Sequence, residues 1–91
     1  MFTWLNKQGV KSEEGYILQS MHRFYFHYIE GDHCMQVNVE PGSHVETIYL
    51  NSLKRWLPPF DKEPILPDRQ NEIQQRISSA LTFMSIHHDF K

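Results

Sequence analysis

The sequence predicts an α+β fold, an antiparallel β-meander packed against one C-terminal amphipathic helix. Three observations carry that expectation. Met35, Val37 and Val39 alternate with Gln36, Asn38 and Glu40, the pattern of a strand with one wet face. Four of the five prolines fall between residues 57 and 67, which separates an earlier half from a later one. Beyond them, Ile73, Ile77, Ala80, Leu81 and Met84 recur at three- and four-residue spacing, the stripe of an amphipathic helix. At 91 residues, with no internal repeat or low-complexity tract, the chain reads as one small domain spanning 1–91.

Strands are expected from residue 10 to residue 51. Gly15-Tyr16-Ile17-Leu18-Gln19 is a short β-prone run. His22 to Ile29 is aromatic-rich, and its alternation sets Phe24, Phe26 and Tyr28 on one face against Arg23, Tyr25 and His27 on the other. Gly31-Asp32 has the chemistry of a two-residue II′ hairpin turn. The Met35–Val39 strand follows, then a turn at Pro41-Gly42 and a strand over Val45–Leu50. Asn51 and Ser52 are good caps for one helical turn, which Pro58-Pro59 must end. Pro67 suits the first helical position, and Asp68 suits the positive first turn. Trp56, a large aromatic ahead of Pro-Pro, is read as a structural anchor closing the sheet edge.

Constellations of catalytic residues are missing from the pattern. Only four glycines exist, none arranged as a phosphate-cradling loop, and there is no Gly-x-Ser-x-Gly elbow. His33 and Cys34 are adjacent, so on a strand they point to opposite faces. His22 and His27 diverge for the same reason, and His87 and His88 sit about 100° apart if helical. No catalytic residue, metal site or cofactor is therefore expected. Cys34 alone excludes an intrachain disulfide and fits a reduced, cytoplasmic setting. No run approaches the roughly 20 apolar residues of a membrane span, and the first residues lack the pattern of a secretory signal.

Charge is distributed unevenly. Between Glu13 and Glu46 six acids face Arg23 alone, whereas from Thr47 onward six bases face five acids. Such an acidic middle third repels nucleic-acid phosphates and attracts basic partners, and Lys54-Arg55-Trp56 is too small a basic patch to reverse that.

The stretch Ile48-Tyr49-Leu50-Asn51-Ser52-Leu53-Lys54-Arg55-Trp56-Leu57-Pro58-Pro59, continued through Phe60 to Ile65 and a polar helix carrying Ile73 and Ile77, resembles the immunity protein 74 family. The resemblance covers about residues 45–81, with a looser echo in Gly15-Tyr16-Ile17-Leu18. Its hallmark is a tryptophan before a proline-containing turn, here Trp56. The long aromatic strand, the N-terminal extension and Pro67 at the helix start depart from the pattern. The resemblance implies a small α+β immunity protein of a bacterial polymorphic-toxin system, which binds and neutralises a cognate toxin domain. The alternative is a non-enzymatic adaptor of a bacterial assembly. The expected contact residues are Glu30, Asp32, Glu40 and Glu46, taken as exposed beside two turns, with Tyr25 and His27 on the outward face. The outermost strands of an open meander also offer a route to a homodimer.

Overall fold

The computed structural model describes all 91 residues. Seven strands form one curled sheet in chain order: β1 (Phe2–Asn6), β2 (Gly9–Ser12), β3 (Tyr16–His22), β4 (Tyr25–Glu30), β5 (His33–Glu40), β6 (Glu46–Ile48) and β7 (His88–Phe90). A 3₁₀ turn at Leu50–Lys54 and one helix, α1 (Pro67–Phe83), lie between β6 and β7. The fold is α+β, as expected. The meander extends only as far as β6, because β7 pairs with β6 in parallel and makes the sheet mixed. The chain leaves β6, crosses through α1 and returns to the same end, and strands joined by such a crossover run parallel.

Burial alternates row by row across the sheet. One inner row runs Trp4, Val10, Leu18, Tyr28 and Met35, and the last four are fully buried. The neighbouring outer row runs Thr3, Lys11, Ile17, Ile29 and Cys34, none of them fully buried. Helix α1 lies over the inner face and buries Ile73, Ile77, Ala80 and Leu81, four members of the stripe read from the sequence. Trp56 is 6% exposed, stacked at 6.4 Å on Tyr28 and edge-on at 5.1 Å to His33. It therefore ties the proline-rich connector to β4 and β5.

Several local expectations are corrected. Residues before position 10 were expected outside the sheet, yet Phe2–Asn6 forms β1. Phe2 and Trp4 rest on Phe83 at 5.3 and 5.7 Å, so contact with the end of α1 holds a strand too short to show periodicity. Phe24 does not join Phe26 and Tyr28 inside; it sits in the β3–β4 turn and is 51% exposed. The strand expected over Val45–Leu50 is confined to Glu46–Ile48, because the Tyr49 N–H turns to the Asn38 carbonyl and the 3₁₀ turn begins at Leu50.

His87 and His88 are not helical. Helix α1 stops at Phe83, and Ser85 takes a left-handed conformation with φ 62°. The Ile86 N–H donates to Leu81 and the Ser85 N–H to Thr82, the pair of bonds that closes a Schellman ending. Glycine normally occupies that left-handed position, so a serine there concealed the stop.

Candidate functional site

Because neighbouring strands up to β6 alternate in direction, the loops sort to two ends of the sheet. The β2–β3 turn with Glu13 and Glu14, the β4–β5 turn with Asp32, the connector with Asp61 and Glu63, and the start of α1 with Asp68 share one end. The β1–β2 turn with Lys7, the β3–β4 turn with Arg23, the 41–45 loop and residues 84–87 share the other. The acidic middle third is thus divided. Glu30 and Asp32 lie at the first end, while Glu40 and Glu46 lie at the second, about 20 Å away along β5. The four carboxylates cannot form one patch.

Nor are all four exposed. Asp32 and Glu40 are exposed, and Glu40 accepts a 2.7 Å hydrogen bond from the Tyr49 hydroxyl. Glu30 is held inside a network: its carboxylate accepts from the Tyr28 hydroxyl, from Arg69 and, at 2.9 Å, from Arg76. Arg69 and Arg76 also pair with Glu72 on the helix surface. Burial alone would raise the Glu30 pKa, but the bonds from Tyr28 and Arg69 and the two guanidinium charges outweigh it and hold the carboxyl below its usual range. Glu30 therefore fastens the hairpin to α1. In the turn that follows, Gly31 has positive φ (+56°) and Asp32 does not, as a II′ turn needs, and Asp32 is exposed beyond the network.

Glu46 differs again. It is half-buried, and its Oε2 is the one buried side-chain polar atom without a hydrogen-bond partner. It lines a cavity of about 440 Å³ at the Lys7 and Arg23 end.

Tyr25 and His27 do share the outer face of the sheet, 5.7 Å apart, and His22 extends the ladder by stacking on Tyr25 at 5.4 Å. The expectation that His22 and His27 diverge is corrected, because a register irregularity between Ser20 and His22 turns His22 onto that face opposite Tyr25. Beside them Gln19, His27 and Gln36 form a polar row. The Gln19 amide lies over Gly9, where an added Cβ would meet its Oε1 at 2.0 Å, and Asn6 Nδ2 donates to that oxygen at 2.8 Å. A cleft of about 680 Å³ borders this face between β5 and the 3₁₀ turn, with Lys54 and Arg55 among its walls.

Two histidine pairs also went unread. His33 stacks on Phe60 at 3.8 Å and meets both Glu63 oxygens at 3.0 and 3.1 Å, fixing the connector to the start of β5. His88 lies 2.7 Å from the Ser78 hydroxyl through Nε2 and 2.9 Å from the Ile86 carbonyl through Nδ1. A protonated Nδ1 donates to that carbonyl, so Nε2 accepts from Ser78. This has the outline of a nucleophile and its base. Yet the amides of Met84, Ser85 and Ile86 are spent on Ala80, Thr82 and Leu81, and none of these is left to hold an oxyanion. The pair tethers β7 to α1. Burial pushes the Cys34 thiol up, away from a reactive thiolate. No three His, Cys, Asp or Glu side chains gather as a metal site, and no helix is long and apolar enough to cross a membrane.

No protein-family model matches the chain, and no curated protein or solved structure gives a significant match.

Proposed function

We propose that the chain is an immunity protein that binds a cognate toxin domain stoichiometrically and neutralises it. The single observation that supports this best is the acidic end, where carboxylates from two turns, the connector and the first turn of α1 gather. Arg69 and Arg76 are engaged by Glu30 and Glu72, the N-terminal amine lies 3.7 Å from Glu13 and His33 meets Glu63, which leaves Glu14, Asp32, Asp61 and Asp68 without an ion-pair partner. A basic protein domain is drawn to such a surface, since complementary charge mainly accelerates encounter. The Trp56-Leu57-Pro58-Pro59 resemblance supports the same reading. The aromatic outer face with Tyr25 and His27 starts at the opposite end of β4 and runs along the strand toward this one, and it supplies rigid contact area of the kind that slows dissociation.

The test is association kinetics against the toxin domain encoded beside this gene. Asp32 and Glu14 are the residues to reverse, because Glu30 is committed to the fold. The double variant Asp32→Lys, Glu14→Lys is expected to associate about tenfold more slowly at low ionic strength. Near 0.5 M salt, where screening acts within about 4 Å, the difference should largely vanish. Tyr25→Ala should instead speed dissociation. Unchanged association by the double variant would remove the acidic end as the docking surface. Failure to bind any neighbouring toxin, with recovery in a larger native assembly, would favour the adaptor.

A further inference from the structure

The two edge strands of the sheet are unlike. β7 has only three residues and carries Asp89 at its centre, and a short, charged edge discourages further pairing. β1, at the other edge, has five residues without a charge or a proline, and four of them are exposed. The Met1 carbonyl accepts from the Glu13 N–H, in the register that continues as Phe2 opposite Ser12 and Thr3 opposite Lys11. Bonded and non-bonded pairs alternate along an antiparallel ladder. Met1 and Thr3 therefore face β2, while Phe2 and Trp4 turn their N–H and C=O groups to the open edge. None of the turn and loop hydrogen bonds reaches those groups. Beside them on the inner face, Trp4 and Phe83 pack on each other yet stay 47% and 39% exposed. Unpaired backbone and exposed aromatic rings thus coincide along one strand.

The spacing of these groups selects the partner. Phe2 and Trp4 lie symmetrically about Thr3, so an antiparallel copy centred there sets each Phe2 against the Trp4 of the other chain. Both are then bonded pairs, and four hydrogen bonds close with no edge group left over. The bulge between Trp4 and Asn6 ends the regular stretch just past these residues and fixes the length that pairs. Phe2, Trp4 and Phe83 of the two copies meet on the inner face, and cross-strand aromatic pairs are favourable. Charge does not oppose the pairing. Lys11 stands opposite Thr3 on β2, so the two Lys11 side chains lie three strand spacings apart, about 14 Å and beyond the Debye length of about 8 Å. We propose that a second copy of this chain pairs along β1, giving a two-fold dimer with one continuous sheet. So small a strip falls short of the roughly 800 Å² per partner of a standard interface, which sets the dimer in the micromolar range. It uses the side of the sheet and does not rest on the immunity reading.

The test is sedimentation equilibrium of the whole protein from about 1 to about 200 µM, where a monomer–dimer equilibrium is expected. Thr3→Glu sets two like charges directly opposite each other, with Cβ atoms about 5 Å apart, whereas within one copy it gains Lys11 as a neighbour. It should weaken the dimer about tenfold at low salt, and Thr3→Lys should do the same. An equimolar mixture of the two variants should regain at least the native association, because opposite charges then meet. Melting curves check that each variant folds. Dilution of the ¹⁵N-labelled native chain needs no variant: it should shift the amide resonances of Phe2 and Trp4 and leave that of Tyr28, inside the sheet, in place. A monomer at every concentration, or dilution shifts that spare Phe2 and Trp4, would overturn the proposal. Native-strength dimers from each variant alone would place self-association on another surface, and a mixture that stays monomeric would overturn the register centred on Thr3. Toxin association is read separately on the Asp32 and Glu14 variant, so failure here leaves the immunity reading standing.

Discussion

Glu30 and Glu46 are both half-buried glutamates at strand ends, at opposite ends of the sheet, and their surroundings are opposites. Glu30 receives donors from Tyr28, Arg69 and Arg76 and joins a hairpin to the helix. Glu46 receives none at its buried oxygen, beside cations that are themselves unpaired. A carboxylate satisfied on all sides is part of the architecture. One without a donor ties no elements together. The comparison teaches that acidity along the chain says little about use until each group's donors are known.

The largest effect expected is beneath the satisfied end. Trp56 is nearly buried against Tyr28 and His33, so Trp56→Ala should cost about 3–5 kcal/mol in urea unfolding. A variant with an unchanged midpoint would show that the connector, and not Trp56, fixes this end. Next comes Glu30→Ala, which strands Arg69, Arg76 and Tyr28. A loss of about 1–3 kcal/mol is expected, moderated because the network is partly solvated.

The Glu30 carboxyl sits lower in the folded chain than in the unfolded one, so its stabilisation is present above the unfolded carboxylate pKa. It disappears as pH falls through the folded value. Unfolding midpoints recorded from pH 7 downward should fall less steeply for Glu30→Gln than for the native chain; parallel curves would dissolve the contrast. The smallest effect belongs to Glu46. Because its buried oxygen has no donor, Glu46→Gln removes a charge held away from water and breaks no bond, so a gain of up to about 1 kcal/mol is expected, and no loss. A loss as large as that of Glu30→Ala would make the two glutamates alike.

Much of this fold was legible because its longer elements carry their periods openly. β5 alternates through three buried residues, and α1 repeats its stripe from Ile73 to Leu81. What stayed hidden depends on contacts between distant segments. β1 is held by Phe83, β7 by β6, and the helix stop by a serine where glycine is usual. The candidate site was harder still. Tyr25 and His27 fall on the outer face because alternation dictates it, and Asp32 projects because its turn does. Nothing in residues 28–32 announces that Glu30 will meet two arginines 39 and 46 positions away. Equally, nothing in the sequence marks Glu46 as the carboxylate without a donor, since that depends on what the folded neighbourhood fails to provide.

The parallel pairing of β7 with β6 has a kinetic side. β1 to β5 are linked by turns of two or three residues, so their ladders form between near neighbours. β6 must instead meet residues 88–90, some forty positions later, and it shares only two register pairs with β5. Closing so long a loop is entropically costly, and pairing of that range is slow to form. This corner should be the sheet's first to open and last to close. Deuterium should enter first at the amides of Glu46 and Lys91, bonded to His87 and Ile48, while β3 to β5 stay protected until global unfolding. The edge made by β6 and β7 is then the most yielding part of the sheet, although it is also the part that the chain leaving α1 must reach to complete the fold.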